Sequence, residues 1–264
     1  MTRLACQDTF LIKHRDLKNN YHSLTLGPYG PAARCRPGSF VHLRLPCPEV
    51  YFRRAMSVAD VDPSRREIEI IFKVVGRGTA ILAGYRKRAS IDVLGPLGNS
   101  FRFPGKDEAA LLVAGGVGFP PLLYLAAEMV RRGRDPKRIA FFYGGRTRGD
   151  VVERSRIRRL GVRFYPVTED GSLGRRGLVT DAVQEYIGAH AGEKMRLYGC
   201  GPEGMLKATD DLGLRYRLAG QLSLEAPMPC GFGVCLGCVV PLRAGGHARV
   251  CCEGPVFNIG EVLL

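Results

Sequence analysis

The pattern of hydrophobic and polar residues changes character near residue 104. Before it, apolar and polar side chains alternate in short segments such as "GSFVHLRLP" (38–46), "EIEIIFKVV" (67–75) and "SIDVLGP" (90–96), which are separated by Gly and Pro. Alternation with a period of two is typical of strands that bury one face. We therefore expect residues 1–104 to form a small β-barrel.

Beyond residue 104, apolar runs alternate with segments of helical spacing. "AALLVAGGVG" breaks into glycines and is followed by "PPLLYLAAEMVRRG", whose prolines suit the first turn of a helix. The same order recurs in "RIAFFYGG" with "VVERSRIRRLG", in "VRFYPVT" with "GLVTDAVQEYIG", and in "MRLYGCGP" with "EGMLKATDDLG". Strands that alternate with helices predict right-handed crossovers and a parallel sheet, here over residues 105–222.

The regular pattern stops at about residue 223, where the Gly, Pro and Cys content rises. We expect residues 223–264 to form a small lobe organised by cysteines. With 264 residues and 45% hydrophobic content, the chain is long enough for two domains and such a lobe.

The formal charge of +14 and the pI of about 9.6 are compatible with nucleic-acid binding. The basic residues are nevertheless spread along the whole chain, and no helix-turn-helix pattern or aromatic RNA-binding motif accompanies them. The densest group, Arg154, Arg156, Arg158 and Arg159, is interpreted as the solvated face of a helix. We expect no nucleic-acid partner.

The cysteine count and the N-terminal sequence indicate the compartment. The first twenty residues contain charges or amides every few positions, and no run of about 18 apolar residues occurs, so neither export nor membrane spanning is expected. Nine cysteines in a chain of this length favour a reducing compartment with some cysteines as metal ligands. The protein is expected to be cytoplasmic.

Three cysteines fall within nine residues in "CGFGVCLGC" (230–238). Structural zinc prefers two pairs of closely spaced cysteines, whereas C-x4-C-x2-C with a remote fourth cysteine is the plant-type [2Fe-2S] spacing. Glycines between the cysteines permit positive φ angles and allow backbone N–H groups to point at the cluster. The predicted ligands in this segment are Cys230, Cys235 and Cys238.

The fourth ligand is expected in "RVCCEGPVF", where Cys251 and Cys252 are neighbours. Adjacent side chains of an extended segment point in different directions, so one of the two cysteines would bind the cluster and the other would not. The spacing alone does not choose between them. Cys6, Cys35, Cys47 and Cys200 are scattered, and burial is expected for each.

Two segments of the predicted barrel are candidate anion sites. In "RRAMSV", Arg54 is followed three residues later by Ser57, and "GRGTAIL" exposes backbone N–H groups at Gly78 and Thr79. Each segment also fits a simpler interpretation, namely a solvated strand-edge arginine and an ordinary turn before a helix.

Two glycine-containing loops of the predicted α/β domain are candidate nucleotide sites. "AGGVGFPP" places Gly115, Gly116 and Gly118 between a strand and a helix, although it lacks the G-x-G-x-x-G fingerprint and equally fits a tight packing turn. In "YGCGPEGM", Cys200 and Gly201 follow a strand, at the sheet edge where open parallel sheets bind ligands.

The order of these motifs along the chain, with the barrel motifs first, the α/β motifs next and the cysteine segment last, resembles that of the ferredoxin reductase superfamily. Within it, the chain resembles the electron-transfer subunits of NAD-dependent dihydroorotate dehydrogenase along nearly its full length. The most specific segments are "RRAMS", "GRGTAIL", "DVLGPLGNSF", "TEDGSLGRRGLVTD", "EAPMPCGFGVCLGC" and "VCCEGPVF".

The resemblance implies FAD on the barrel and NAD on the α/β domain. The implied flavin-binding residues are Arg54, Ala55, Met56, Ser57, Ile71, Phe72, Lys73, Gly78 and Thr79. It also implies that Cys251 is the fourth cluster ligand, because the family's last ligand directly follows the valine of a "VC…GPVF" motif. The chain departs from the family at Ala55 and Met56, where proline and isoleucine are usual, and at Lys73, where arginine is common. These departures are expected to change the affinity of the protein for flavin.

The resemblance further implies a catalytic partner subunit that carries FMN and oxidises dihydroorotate. Electrons would cross the cluster to FAD, and hydride would leave on NAD+, in a heterotetramer of two such chains with two catalytic subunits. The chemistry belongs to the cofactors, so no protein acid or base is assigned. The choice between NAD and NADP is not determined by the residues.

Two alternative functions are compatible with parts of the sequence. One is a small subunit of an NAD(P)H:ferredoxin-type flavin oxidoreductase, a group that often has an aspartate near the cluster and a different "GP" motif. Cys230 and "GPVF" argue against it. The other is a non-enzymatic iron-sulfur redox sensor, and the flavin motif argues against that.

Overall fold

A computed structural model of the chain describes residues 5–48 and 50–264. Its first part is a closed barrel of antiparallel strands, in the order β1-β2-β5-β4-β3-β6. The strands are β1 (Ala5–Lys18), β2 (Tyr21–Gly27), β3 (Phe40–Arg44), β4 (Arg54–Asp62), β5 (Glu67–Lys73) and β6 (Ser90–Leu97). The predicted barrel is thus confirmed, and residues 1–4 of the first predicted domain lie outside the described residues.

Alternating apolar side chains fill the barrel. Leu24 and Leu26 of β2 and Ile68 and Ile70 of β5 are fully buried, while residues between them reach the outer face. Burying each such side chain contributes about 1.5–3 kcal/mol. This burial on one face is the physical reason for the alternation seen in the sequence.

The second part is a parallel sheet flanked by helices, and it confirms the predicted alternation. Its strands are β7 (Ala109–Gly115), β8 (Ile139–Gly145), β9 (Arg163–Thr168), β10 (Arg175–Arg176), β11 (Met195–Cys200) and β12 (Ala219–Ser223). Its helices are α2 (Phe119–Arg131), α3 (Arg154–Arg159), α4 (Val179–Ala189) and α5 (Glu203–Arg215), after a short α1 (Arg77–Ala83) that belongs to the barrel domain. Every residue of β7 is buried because helices cover both faces of the central strands.

The strand order creates a switch point between β7 and β11. From β7 the parallel strands continue through β8, β9 and β10 on one side, and through β11 and β12 on the other. Ligands of open parallel sheets bind beyond the carboxyl ends of the strands at such a point. The fold therefore brings residues 115–118 and 200–201 together, although they are far apart in the sequence.

The C-terminal segment is woven into both other parts of the molecule. It contains a two-stranded sheet of β13 (Val239–Pro241) and β14 (His247–Arg249), and then β15 (Val256–Asn258), which adds antiparallel to β12 at the edge of the large sheet. Asn99, just after β6, donates its amide to the carbonyl of Val256 at 2.8 Å and accepts the Val256 N–H at 2.9 Å. The cysteine-containing segment is therefore fixed to the barrel as well as to the sheet.

The interface between barrel and sheet combines an apolar core with ion pairs. Ile71 of β5 packs in the same cluster as Phe119 and Leu122 of α2. The expectation that the arginines of α3 form a solvated face is wrong for Arg156, whose guanidinium bonds to Asp60 at 2.7 Å and to Glu69 at 2.6 Å. Both carboxylates stand on barrel strands, so α3 contributes to the contact between the two domains.

None of the helices in the described part of the chain is long and apolar enough to cross a membrane. The predicted domain limits at residues 104 and 222 stay predictions. The last barrel strand ends at Leu97 and the first strand of the large sheet begins at Ala109.

Candidate cofactor sites

A crevice of about 380 Å³ opens between the barrel, the switch point of the sheet and the segment after β12. Most of the predicted flavin residues line it: Arg54, Ala55, Met56, Ser57, Ile71, Phe72, Lys73 and Thr79. Cys200, from the other side of the molecule, lines it as well. The structure thus brings together segments that the sequence analysis had identified separately, and their role in binding stays a prediction.

The register of β4 explains why the crevice lies there. Residues Phe40 and His42 of β3 pair with Ser57 and Ala55, but the pairing of β4 with β5 begins only at Val58. Between Arg54 and Ser57, the strand therefore has no ladder partner on its β5 side among the described residues. Unpaired backbone N–H and C=O groups along an apolar crevice suit a planar ring with a polar edge, so the site fits an isoalloxazine.

Arg54 packs against the predicted phosphate turn at Gly78. A Cβ on Gly78 would lie 3.1 Å from Cδ of Arg54, so the glycine at this position of α1 allows the arginine to pack against the helix. Thr79, in contrast, is used within the turn, because its hydroxyl accepts the N–H groups of Val75 and Gly76 at 3.0 and 3.1 Å. Arg54 and the turn backbone, more than the threonine hydroxyl, are left to hold phosphate.

Lys73, one of the departures from the family pattern, is paired across the domain interface. Its Nζ lies 2.8 Å from the Asp150 carboxylate and 5.0 Å from the centre of the Tyr21 ring. Burial alone would raise the pKa of Asp150, but Lys73 and the N–H of Thr147 hold it below its ordinary value. The lysine charge is therefore neutralised within the protein and also links the crevice wall to the α/β domain.

The loops at the switch point pack without space for a side chain. A Cβ on Gly118 would lie 2.5 Å from the carbonyl carbon and oxygen of Cys200, and one on Gly115 would lie 2.7 Å from Sδ of Met205. Gly201 has a φ of +158°, which favours glycine. Around Gly116 nothing approaches a would-be Cβ within 4 Å. The glycines at 115, 118 and 201 allow the two loops to pack closely, and their role in binding a nucleotide stays a prediction.

The sequence analysis missed Glu225, which lines the crevice together with Cys200 and Ser57. The residue is exposed at the crevice wall, and partial burial of its carboxyl raises its pKa. Burial, followed by the charge of Glu225, also raises the pKa of the Cys200 thiol well above its ordinary value. Glu225 lies two residues after the end of β12 at Ser223, so its position beyond the carboxyl end of a sheet strand was the available signal.

The cluster segment directs backbone N–H groups at sulfur. Burial alone would raise the pKa of the Cys230 thiol, but the N–H groups of Cys235, Phe232 and Val234 and the Cys235 side chain lower it to about 6. The N–H of Gly237 donates to Sγ of Cys235 at 3.4 Å. Two glycines of the loop have positive φ, +82° at Gly231 and +84° at Gly233, as a loop wrapped around thiolates needs.

The four predicted ligands form two pairs. Cys230 lies with Cys235, while the N–H of Cys251 donates to Sγ of Cys238 at 3.4 Å. No three His, Cys, Asp or Glu side chains of the described residues are grouped closely enough to hold one metal ion. A two-iron cluster needs two thiolates on each iron, so four cysteines arranged as two pairs, with donors aimed at sulfur, fit a [2Fe-2S] group.

Cys251 and Cys252 differ in their surroundings. Cys251 is 2% exposed, and its Sγ lies 3.7 Å from that of Cys252, which is exposed. The Cys252 sulfur packs on the loop itself, 2.6 Å from where a Cβ of Gly233 would be. The buried position beside Cys238 supports Cys251 as the fourth ligand, which stays a prediction.

The remaining cysteines only partly follow the expectation of burial. Cys35 and Cys200 are buried and Cys47 is half-buried. Cys6 is exposed, because it stands on an outer position of β1, where its thiol donates to Asp92 at 3.1 Å.

Comparison with known proteins agrees with this arrangement. Residues 112–211 match the model of the oxidoreductase NAD-binding domain, and residues 225–263 match that of the iron-sulfur cluster binding domain of dihydroorotate dehydrogenase B. The chain is 36% identical to the dihydroorotate dehydrogenase B (NAD(+)) electron transfer subunit of Geobacillus sp. (strain WCH70), over 96% of this chain and 97% of that protein. It is also 36% identical to the corresponding subunit of Shouchella clausii (strain KSM-K16), over 96% of each.

Solved structures show the same fold. A structure of an NADH-dependent reduced ferredoxin-NADP oxidoreductase, described in a study of flavin-based electron bifurcation, superposes with a TM-score of 0.84 at 27% identity, covering 97% of this chain and 89% of that one. A ferredoxin NADP+ reductase from Neisseria gonorrhoeae with bound FAD and NADP has a TM-score of 0.66 at 16% identity, covering 80% and 91%. At that identity the likeness concerns the fold alone.

Proposed function

The chain belongs to the family of electron transfer subunits of NAD(+)-dependent dihydroorotate dehydrogenase B, and we propose that it conducts electrons from a dihydroorotate-oxidising partner subunit to NAD+. The family assignment makes it an oxidoreductase subunit of pyrimidine biosynthesis that uses FAD, a [2Fe-2S] cluster and NAD. Nicotinamide exchanges a hydride and the cluster single electrons, and the flavin can do both.

One observation carries this proposal: the crevice and the cluster loop are continuous. Residues 223–229 line the crevice, and the next residue, Cys230, begins the cluster loop. Cys200 and the switch point close the same crevice from the nicotinamide side. The segment after β12 therefore joins the crevice to the cluster loop, and the switch point borders the same crevice, which supports electron transfer among the three predicted cofactor regions.

Within this arrangement, the chain's own residues orient the cofactors and shield them from solvent. We assign the flavin phosphate to Arg54 and the α1 turn, and the ring edge to the unpaired backbone of residues 54–57. The glycines of the switch point, Gly115, Gly116, Gly118 and Gly201, would admit the nicotinamide nucleotide. Cys200 and Glu225 line the same crevice, and burial raises the pKa of both side chains.

The cluster loop presents an apolar surface suited to a protein partner. Phe232, Val234 and Leu236 alternate along it and are 46%, 74% and 61% exposed. Exposed apolar side chains that stand together mark interfaces more often than free surface. We infer that the FMN-containing catalytic subunit docks here, in an assembly of two such chains with two catalytic subunits.

This docking surface can be tested with a charge. We expect Val234→Asp to weaken assembly with the catalytic subunit by roughly tenfold or more, because an unpaired carboxylate would be buried at the interface. Leu214→Asp is the matched control, since Leu214 is an exposed residue, 45%, on α5. Both variants should load flavin and cluster normally; equal assembly of both variants in analytical ultracentrifugation would refute the docking surface.

The function itself is tested with the anaerobically purified chain. We expect an absorption spectrum with flavin and [2Fe-2S] bands, both of which bleach on addition of NADH, and NADH formation from dihydroorotate only when the catalytic subunit is present. A fully reconstituted protein without flavin or without cluster bands would refute the proposal.

The structural likeness to the ferredoxin-linked oxidoreductase supports a second candidate, exchange of electrons between nicotinamide and ferredoxin. The same protein distinguishes the two. Rapid reduction by ferredoxin, without any reduction by dihydroorotate through a catalytic subunit, would favour the second function.

A further inference from the structure

His42 is a fully buried histidine of β3 without a hydrogen-bond partner. Its relative exposure is 0%, and neither Nδ1 nor Nε2 has a partner among the described residues. A neutral imidazole carries one N–H donor and one acceptor nitrogen, and leaving such groups unpaired in a protein interior is destabilising. The orphaned ring therefore indicates that a further group faces it in the loaded protein.

The ring lies against the cluster loop. A Cβ on Gly231 would be 2.5 Å from Cε1 of His42, 2.8 Å from Nδ1 and 3.0 Å from Nε2. Gly231 directly follows Cys230, whose sulfur already accepts N–H groups of the loop. On the strand, His42 stands two residues after Phe40, which lines the crevice, and the two rings are 5.6 Å apart. His42 is thus placed between the crevice and the Cys230 end of the loop.

The charged groups near the ring cannot accept its proton. Arg53 donates to the backbone carbonyl of His42 at 3.5 Å and pairs with Asp92, and Arg54 is the other nearby charge. A guanidinium has no acceptor. An imidazole carries at least one N–H whether it is neutral or protonated, so His42 has a donor that none of these groups accepts.

Resting on the proposed function, we propose that His42 is a positioning residue that donates its ring N–H to sulfur of the loaded cluster site beside Cys230 and so raises the reduction potential of the cluster. A hydrogen bond to sulfur stabilises the negative charge added on reduction, and such bonds are an established means of tuning cluster potentials. Gly231 is then required because it lets the ring approach the loop.

The test is a redox titration of the full-length, cluster-loaded chain, followed by electron paramagnetic resonance. His42→Leu removes the donor at similar volume, His42→Asn places an amide near the position of Nδ1, and His42→Gln places one near Nε2. His190→Leu is the control, because His190 stacks on Tyr186 at 3.9 Å, away from the cluster residues.

We expect His42→Leu to bind as much iron as the wild type but to show a more negative midpoint potential and an altered spectrum. Either Asn or Gln should restore the potential, and the one that does identifies the donating nitrogen. His190→Leu should match the wild type. A His42→Leu protein with the wild-type potential and spectrum would overturn the proposal.

A second measurement tests the proposal if the His42→Leu variant does not bind the cluster. Wild-type chain labelled with ¹⁵N-histidine is reduced and examined by electron–nuclear double resonance, and we expect a coupled histidine nitrogen. Absence of that coupling overturns the role of His42 alone. Failure of the wild-type chain to bind any cluster would instead overturn the proposed function together with this inference.

Discussion

At the scale of single residues, Cys251 and Cys252 have identical side chains but different surroundings in the fold. Both follow Val250, yet Cys251 is buried beside Cys238 while Cys252 is exposed and rests on Gly233. The sequence established that one of them should bind. The local spacing could not choose, because the choice depends on which side chain the fold turns toward Cys238.

Replacing each of the two cysteines is expected to have a different effect on cluster binding. Cys251→Ala should lower bound iron and sulfide by about tenfold or more, since it removes a ligand, whereas Cys252→Ala should stay close to the wild type. Iron and acid-labile sulfide per chain, with the visible spectrum, measure the effect. Cys6→Ala controls for loss of an exposed thiol. Loss of the cluster in Cys252→Ala with retention in Cys251→Ala would reverse the assignment.

At the scale of elements, the turns after β7 and β11 were predicted in position but not in mutual contact. The strand-to-helix pattern and the glycines were visible in the sequence, and the structure confirms β7, α2, β11 and α5. That Gly118 touches the backbone of Cys200 follows from the strand order, which local periodicity does not specify.

This contact gives a prediction for Gly118→Ala. The new Cβ would overlap the Cys200 backbone, which cannot move aside as a flexible side chain can, so we expect a loss of about 1–3 kcal/mol in unfolding free energy. Displacement of the loop should also weaken NADH binding by roughly tenfold or more. Thermal unfolding and NADH titration measure both effects.

Gly204→Ala provides the comparison, because nothing lies within 4 Å of its would-be Cβ on α5. There the gain in helix propensity should stabilise the protein by up to about 1 kcal/mol and leave NADH binding unchanged. Similar behaviour of the two variants would show that the close packing at Gly118 is unimportant.

At the scale of the whole molecule, charged residues join the barrel to the α/β domain. Arg156 bridges Asp60 and Glu69, and the side chains of the three residues are only 20%, 28% and 13% exposed. Lys73 and Asp150 form a second bridge across the same interface. The sequence showed these charges but not their pairing, because the partners are 77 or more positions apart.

Removal of Arg156 should destabilise the assembled domains. Arg156→Gln leaves two partly buried carboxylates without their cation, and we expect a cost of about 2 kcal/mol, or roughly 4–8 °C in melting temperature. Arg159→Gln, on the exposed part of the same helix, should remain within about 0.5 kcal/mol of the wild type. Equal melting temperatures for the two variants would contradict the bridging role.

The second bridge predicts a dependence on pH. Because the folded-state pKa of Asp150 lies below its ordinary value, its carboxylate stabilises the folded protein at neutral pH, and this contribution is lost as the pH falls through the folded-state pKa. We expect Asp150→Asn to be less stable than the wild type by about 1 kcal/mol at pH 7 and the difference to shrink below about pH 4.

Melting temperatures between pH 7 and pH 3 measure this difference. Asp107→Asn makes the same change at an exposed position and should follow the wild type throughout. A difference between Asp150→Asn and the wild type that does not change with pH would show that the ion pair is not its cause.

The sequence by itself determined the elements and the cofactor chemistry. Alternation with period two and helical spacing specify which segments can bury a face, and the C-x4-C-x2-C spacing lies within one loop, so short-range pattern suffices for barrel, sheet and cluster. The tertiary structure alone decided that His42 lies under Gly231, that Glu225 shares a crevice with Cys200, and that Arg156 faces the barrel. These contacts join residues distant in the chain, and they arise from strand order and domain packing, which no local pattern encodes.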